Sequence, residues 1–494
     1  MELTGKQLQV HLKNQIDLFI TKGLMEDLCK LDPIDTFNKT HSLVRSIEEF
    51  INIAAFGVSN TDFNTLGLMN IEQWNPVYNS MIDRMISPRF GQMVSDRFKR
   101  MTLELYQILF EFRLTGYDFG FRTILEATGF YQSRRRHIVT ILYLLPTYCK
   151  GKQQLSESEL LRVILHLVDF CLVNITALQR QLILSYIFPD FKAIISNDTI
   201  TGNYQFDFLE DLFTEPERIS IIDPIMEEAF KPVSNEFLQM PEEKIFSRTE
   251  LINGCELIRS YFTFFKYNDP IMNCLVPLLQ ELSKYSKEDY FVSVSKTVFE
   301  KTIMELDNTV REKIRDLLVL SSNEYILSSN SHHPFIEVGR YYKSNFNLIL
   351  RFLYNYKNIS LNKSRRYRIR SGFIFEDKVK TELLQLGFEI LKVKRIERKE
   401  FDVITKRAGA IYNFQCKNNF IDITLIEKEP EKFAKRNRAL VRYYMKSLDK
   451  EKEREHLIIN KYGIKEVSHF VISRFPVIGN EPSIILFKDL KDLF

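Results

Sequence analysis

The chain has 494 residues, of which 45% are hydrophobic and 27% are charged, and its net charge at pH 7 is +4. This composition excludes a disordered chain and predicts two to four packed domains. The six cysteines form no Cys-x-x-Cys pair, which excludes a zinc ribbon. The N-terminus lacks the apolar core of a signal peptide, and the apolar runs are too short to span a membrane. We therefore expect a cytoplasmic protein.

Residues 1–360 predict a mostly helical region, because apolar residues recur at spacings of three and four. One helix is predicted to begin at the acidic run Ser156–Glu159, and another, strongly charged, to cover Val298–Leu317. The basic run Arg134–His137 predicts a solvated helix start, with contact to nucleic acid as the alternative. Turn-like breaks are predicted near Ser59–Thr61, Ser196–Tyr204, Lys231–Asn235 and Ser321–Pro334.

The segment Asn355–Arg370 is predicted to be an exposed connector, because its second half is densely basic and lacks an apolar period. It divides the chain into a helical region, residues 1–360, and a C-terminal domain, residues 361–494. The pattern leaves open whether the helical region recognises a substrate, binds a protein partner or restrains the C-terminal domain.

The C-terminal domain is predicted to have the order αβββαβ around a mixed sheet, which makes the whole chain an α+β multidomain protein. Short segments rich in Ile, Val, Phe and Tyr predict the strands, and Lys406–Gly409 predicts a hairpin turn. The predicted elements are a helix over Gly372–Leu386 ended by Gly387, strands Phe388–Ile396, Glu400–Thr405 and Ala410–Lys417, a helix Glu431–Leu448, strands Val467–Phe475 and Ser483–Phe487, and a short terminal helix.

The hairpin Glu400–Lys417 carries three residues suited to phosphodiester hydrolysis. Because alternate strand residues share a face, Asp402 can lie beside Gln415 and Lys417. Asp402 and the amide oxygen of Gln415 are hard ligands for Mg²⁺. Lys417 can orient or deprotonate the attacking water and offset negative charge. The alternative is a solvated strand face that happens to carry one Asp and one Lys.

The preceding helix adds a carboxylate. Glu376 falls in the middle of an apolar stripe formed by Phe373, Val379 and Leu383. A carboxylate on a core-facing stripe is unusual unless it is paired or binds a metal. We therefore predict that Glu376 either supports the metal site or forms an ion pair with Lys380, four residues on.

The helix after the hairpin has a basic face. Lys435, Arg438, Arg442 and Lys446 share one side of the helical wheel, opposite the apolar residues. Residues 361–494 contain 30 Lys+Arg and 19 Asp+Glu, a net charge of +11, against −7 for residues 1–360. These charges predict a nucleic-acid-binding surface that Arg395 extends, and a solvated face is the alternative.

These motifs, in this order, resemble the PD-(D/E)XK nuclease superfamily, in the Gln-x-Lys form of its Mrr-like branch. The matching segments are Gly372–Glu376, Leu386–Phe388, Glu400–Ile404 and Asn413–Asn418. The resemblance implies a restriction-endonuclease-like αβββαβ core and Mg²⁺-dependent cleavage of DNA. It maps the helix glutamate onto Glu376, the metal aspartate onto Asp402, the second motif position onto Gln415 and the lysine onto Lys417. Phe401 replaces the motif proline, and Gln415 replaces an acid, which removes one charge from the site.

The resemblance covers about a quarter of the chain and leaves two rival functions open. The first is a nuclease fold that has lost activity and serves as a scaffold for nucleic acid or protein partners. The second is a helical interaction protein whose basic tail binds RNA or DNA. For the nuclease we expect Mn²⁺ to substitute for Mg²⁺, restriction or defence against foreign DNA as the setting, and a homodimer if both strands are cut.

Overall fold

The computed structural model describes residues 2–52, 68–70, 76–196, 199–204, 206, 247–320, 324–329, 331–392, 395–422 and 425–493. Two of the predicted breaks, Ser59–Thr61 and Lys231–Asn235, lie outside these residues. Within the predicted break at Ser196–Tyr204, Thr199–Gly202 is a strand that pairs antiparallel with Lys192–Ser196, in a register from Ala193↔Gly202 to Ser196↔Thr199; residues 197 and 198 lie outside the described ranges.

Helices dominate the first 361 residues, as the sequence predicts. They are α1 (Gly5–Leu18), α2 (Pro33–Ile51), α3 (Pro76–Phe90), α4 (Gln92–Leu114), α5 (Ile124–Tyr148), α6 (Glu157–Leu167), α7 (Val173–Ile187), α8 (Arg248–Phe264), α9 (Pro270–Leu282), α10 (Lys296–Met304), α11 (Asn308–Leu318) and α12 (Phe346–Leu361). The charged segment predicted as one helix is two, α10 and α11, because the side chain of Asp307 caps a new helix by accepting from the backbone N–H of Thr309.

Two small antiparallel sheets accompany these helices and were not predicted. Their strands are β1 (Glu2–Thr4), β2 (Lys192–Ser196) and β3 (Thr199–Gly202) in one, and β4 (Ser286–Lys287), β5 (Phe291–Ser295), β6 (Ile336–Val338) and β7 (Tyr341–Asn345) in the other. Such short strands carry too few residues for an alternating pattern to stand out.

Helix α6 begins as predicted, with a capping box between Ser156 and Glu159. It continues through a π-helical segment into α7, so Glu157–Ile187 is one helical run of 31 residues. This run is long and apolar enough to cross a membrane, contrary to the expectation that no segment is. However, 56% of its apolar window is buried inside the protein, and a core helix of a soluble protein has the same length and composition.

The basic run Arg134–His137 is not a solvated helix start. A capping box of Thr123 and Glu126 begins α5, so the run lies in the middle of the helix. Arg134 lies 2.7 Å from Asp169, and Arg135 lies 2.6 Å from Glu48. Arg136 is fully buried and pairs with Glu427 of the C-terminal domain. Each arginine therefore joins an acid, which the charge pattern alone did not indicate.

The predicted exposed connector is wrong, because Asn355–Arg370 is almost entirely helical. Helix α12 ends at Leu361, and α13 (Arg365–Gln385) begins after Ser364, whose side chain accepts from the N–H of Tyr367. Tyr356 and Tyr367 are buried in the same hydrophobic core. The basic side chains occupy the outer side of helices whose inner side is apolar, which hid the period from a charge-based analysis.

The C-terminal sheet has five strands in the order β14-β13-β12-β11-β8. They are β8 (Glu389–Leu391), β11 (Val403–Arg407), β12 (Ala410–Lys417), β13 (Val467–Ser473) and β14 (Ile484–Leu486), and between β8 and β11 lies a separate hairpin of β9 (Arg395–Ile396) and β10 (Lys399–Glu400). Strands β8, β11 and β12 pair antiparallel, whereas β12, β13 and β14 pair parallel. The predicted mixed sheet after a helical region is confirmed; the predicted strand Phe388–Ile396 is interrupted, and Arg395 lies in the separate hairpin.

Helices cover both faces of this sheet. Helix α13 packs on the face that contains Val403 and Phe414. Helices α14 (Pro430–Glu453) and α15 (Glu455–Tyr462) pack on the other face. Phe433 and Tyr444 of α14 belong to the hydrophobic core that also contains α1 and α7. One core therefore continues from the helical region into the C-terminal part.

Candidate active site

Asp402 lies at the edge of the sheet, directly before β11, not within a strand as predicted. Its Oδ2 accepts a hydrogen bond from the backbone N–H of Cys416 at 2.9 Å. Burial raises the pKa of Asp402, while the Cys416 N–H and the nearby Lys417 ammonium oppose the rise. The carboxylate is thus held against β12 in a partly desolvated position.

Gln415 and Lys417 share a face of β12, as their alternation predicts. The Nζ of Lys417 donates to Oε1 of Gln415 at 3.2 Å. Gln415 is 8% exposed, so its amide is almost enclosed by the sheet and α14. The Lys417 Nζ also lies 5.4 Å from the ring centroid of Tyr443 in α14. Together these contacts fix the ammonium at the end of the strand.

Glu376 approaches Asp402 from α13. Phe375, Val379 and Leu383 form the buried side of this helix, whereas Phe373, predicted to join them, is 53% exposed. Glu376 therefore sits beside the apolar stripe and not in its middle. Burial, and then the charge of Asp402, raise the pKa of Glu376 to about 7.

The predicted ion pair of Glu376 with Lys380 is absent from the contacts of the described residues. Lys380 donates instead to Asp377 at 2.7 Å. It remains close enough to oppose the rise in the pKa of Glu376. Glu376 thus has a carboxylate neighbour, Asp402, and lacks the direct salt bridge that would neutralise it.

The four residues combine two carboxylates, an amide oxygen and an ammonium. A carboxylate whose pKa is raised by a second carboxylate, as that of Glu376 is by Asp402, marks a place where a cation is favourable. Oxygen ligands of this kind suit Mg²⁺ or Mn²⁺, which bind through one or two carboxylates and keep several waters. Among the described residues there is no group of three or more His, Cys, Asp or Glu side chains able to hold a metal. A metal at this centre would accordingly be held by two carboxylates and an amide oxygen, with water completing its coordination.

The basic stripe of α14 is exposed along its length: Lys435, Arg438, Arg442 and Lys446 all face solvent. Within the described ranges none of these four forms an ion pair, so their charges are available to a ligand. Tyr443, on a neighbouring side of α14 and 50% exposed, contacts Lys417. Arg395 lies elsewhere, opposite Glu400 in the β9–β10 hairpin.

Sequence reasoning missed several residues around this centre. Glu400 raises the pKa of both Asp402 and Glu376, and its position two residues before Asp402 was a usable signal. Asn418 donates to Ser371 of α13 at 2.8 Å and accepts from Arg474 at 3.1 Å. The N–H of Arg474 also donates to the carbonyl of Lys417. These contacts, which brace the end of β12, depend on chain crossings that a linear sequence does not reveal.

Comparisons with known proteins found no family model, no curated protein and no solved structure that matches this chain.

Proposed function

We propose that residues 361–494 form a metal-dependent nuclease that hydrolyses phosphodiester bonds in DNA. The observation that carries this proposal is the convergence of Glu376, Asp402 and Lys417 from three elements, with the pKa of Glu376 raised to about 7 by burial and by the charge of Asp402. Perturbed carboxylates beside a lysine are typical of catalytic centres, because ordinary surface acids avoid such repulsion.

Each residue has a role in this proposal. Asp402 and Glu376, with the Gln415 amide oxygen, would hold Mg²⁺, and Mn²⁺ in its place. A bound divalent ion supplies Lewis-acid stabilisation of the charge that develops on the phosphate. Lys417 orients the attacking water and donates to a phosphate oxygen, and Gln415 positions its ammonium. The exposed stripe Lys435–Lys446 binds the DNA backbone, and Arg395, in the β9–β10 hairpin, would contact the DNA apart from this stripe.

Plasmid cleavage with Mg²⁺ or Mn²⁺ tests the proposal. We expect cleavage by the wild type and its loss in Asp402→Asn, Glu376→Gln and Lys417→Met. The matched controls are Glu389→Gln and Lys461→Met, exposed residues that are not among the charges shifting the pKa of Glu376 or Asp402, and both should cleave at wild-type rates. An inactive wild type with every variant folded would overturn the proposal, as would full activity of Asp402→Asn.

The alternative function is a scaffold of the same fold that binds nucleic acid or assembles with partners without cleaving. Two observations favour it: Gln415 stands where an acid would add charge, and its Oε1 already accepts from Lys417. This alternative predicts salt-sensitive DNA binding that Asp402→Asn leaves unchanged, and no cleavage with either metal. A cytoplasmic location, a homodimer and a role in defence against foreign DNA remain predictions attached to the nuclease.

A further inference from the structure

A groove runs between the helical region and α14. Its volume is about 1080 Å³, and α1 and α7 form one wall while α14 and the short helix Leu425–Lys428 form the other. A second hollow of about 720 Å³ continues on the same side of α14. Lys435 and Arg438 line both hollows. The stripe on α14 therefore faces a cleft whose opposite wall belongs to residues 1–360.

Both walls of the groove supply cations. Lys6 and Lys13 come from α1, and Lys428 comes from the short helix. Burial lowers the pKa of Lys428, and among the described residues it has no salt-bridge partner. A desolvated, unpaired ammonium is costly unless an anion joins it.

Four acids line the groove, and three of them are paired; the fourth, Asp17 of α1, forms no ion pair within the described ranges. Glu427 pairs with buried Arg136, and Glu429 lies 3.1 Å from Lys432. Glu431 lies 3.9 Å from Lys13. Lys6, Lys428, Lys435 and Arg438 are left as positive charges without ion pairs within the described ranges. The groove therefore favours a ligand with several negative charges.

The floor of the groove is apolar and includes Ile16, Leu182 and Ile426. One polar group breaks it: Gln179 is 6% exposed and lines the groove, and its Oε1 has no hydrogen-bond partner among the described residues. A buried acceptor without a partner costs free energy, which a ligand N–H or O–H would recover.

The groove leads to the candidate active site along a single helix. Arg438 lines it, and Tyr443, whose ring contacts Lys417, follows five residues later, roughly 8 Å along the helix axis. Tyr443 lies about 140° around the helix from Arg438, so a strand bound in the groove would turn around α14 before it reached Lys417.

We infer that this groove binds an unpaired strand of nucleic acid, which would continue around α14 toward the candidate site. Cationic walls suit the phosphates, and an apolar floor with a buried acceptor suits bases whose faces and N–H groups are free. A duplex presents its backbones outward and keeps its base N–H groups paired. Its phosphates could therefore contact the cationic walls, but its bases could not contact the apolar floor or donate to Gln179. The inference rests on the proposed function only in joining the groove to a cleavage site; binding itself needs no catalysis.

Fluorescence anisotropy of the full chain in EDTA, which prevents metal-dependent cleavage, tests this inference. The probes are a labelled single-stranded 12-mer as DNA and as RNA, the matching duplex, and an abasic strand of equal charge. We expect single strands of at least one of the two chemistries to bind more tightly than the duplex. Lys6→Glu/Lys13→Glu should weaken binding about tenfold or more, whereas Lys150→Glu/Lys152→Glu, with the same charge change on exposed residues outside both hollows, should have little effect.

Gln179→Leu separates recognition of bases from attraction of charge. Because it removes an unpartnered acceptor, it should leave the protein folded. We expect weaker binding of the base-bearing strand and unchanged binding of the abasic strand. Equal or tighter binding of the duplex, or wild-type affinity in Lys6→Glu/Lys13→Glu, overturns the inference. Tight single-strand binding with no plasmid cleavage would instead refute the proposed nuclease and leave the groove assignment standing.

Discussion

Asp402 is fixed to the neighbouring strand by Cys416, whose backbone N–H donates to Oδ2 at 2.9 Å. The bond sets the distance between the carboxylate and the strand that carries Gln415 and Lys417. The geometry of the candidate site therefore depends on the main chain and is in place before a ligand binds. Asp402 therefore contributes both a charge and a hydrogen-bond acceptor. Substitution by asparagine removes only the charge, and substitution by alanine removes both.

We expect Asp402→Asn and Asp402→Ala to differ in stability and to agree in activity. Asparagine keeps an oxygen for the Cys416 N–H and removes a charge whose burial is unfavourable, so the variant should be as stable as the wild type or more so at pH 8. Alanine leaves a buried donor unpaired, at a cost of about 1–3 kcal/mol. Both should abolish cleavage. Urea unfolding and plasmid cleavage measure the two effects, and a less stable Asp402→Asn would contradict this account.

Lys417→Met tests the role of the ammonium. It keeps the length of the side chain and removes the ammonium, together with its donation to Gln415 and its contact with the Tyr443 ring. We expect cleavage to fall by a factor on the order of 100 or more, because a charge that stabilises the transition state is lost. Since Lys417 opposes the rise in the pKa of Asp402, the pKa of that carboxyl should rise further in the variant. Single-turnover rates and titration of Asp402 by NMR are the measurements; unchanged values of both would exclude Lys417 from the site.

The sequence predicted the parts of the C-terminal domain that have strong local signals. Ala408 and Gly409 both have positive φ in the turn that joins Arg407 to Ala410, and this turn and β12 lie where predicted. The exposed stripe on α14 also follows directly from helical spacing. In these cases the residue pattern of a short segment is enough to predict its local conformation and which side chains are exposed.

Tertiary contacts decided the features that sequence reasoning missed. The charge of Arg365–Arg370 indicated a loop, yet these residues begin α13 because Tyr367 packs into the core beneath them. Phe373 is apolar but exposed, because the sheet lies against the side of α13 that carries Phe375. Which side of a helix is buried depends on the elements that pack against it, and the sequence of the helix alone does not specify those elements.

The buried pair of Arg136 and Glu427 offers a test of how the two parts of the chain are joined. Both side chains are almost completely buried, and Ser329 also donates to Glu427. Arg136→Met should cost about 3–5 kcal/mol, because it leaves a buried carboxylate without a cation. The double variant Arg136→Met/Glu427→Gln should recover much of this loss. Urea unfolding of the wild type, both single variants and the double variant gives the coupling, and additive effects would show that the pair is not coupled.

Glu376 gives the stability of the protein a specific dependence on pH. The pKa of Glu376 is about 7 in the folded chain, against an ordinary 4.5. Between these values the folded state holds a proton that the unfolded state has released, so stability falls as pH rises from about 4.5 to 7. The pKa of Asp402 is raised in the same direction. We expect the wild type to lose thermal stability across this window relative to Glu376→Gln, by on the order of 1–2 °C.

Thermal unfolding in EDTA from pH 4.5 to 8 measures this difference, and Glu389→Gln is the control. Glu389 is an exposed residue of β8 and is not among the charges that shift the pKa of Glu376, so this variant should follow the wild type at every pH. Adding Mg²⁺ at pH 8 should raise the melting temperature of the wild type more than that of Glu376→Gln, because a cation between Glu376 and Asp402 favours their charged forms. If the melting temperatures of the wild type and Glu376→Gln changed in parallel with pH, the pKa of Glu376 would be the same in the folded and unfolded chain, and the electrostatic argument for the site would fail.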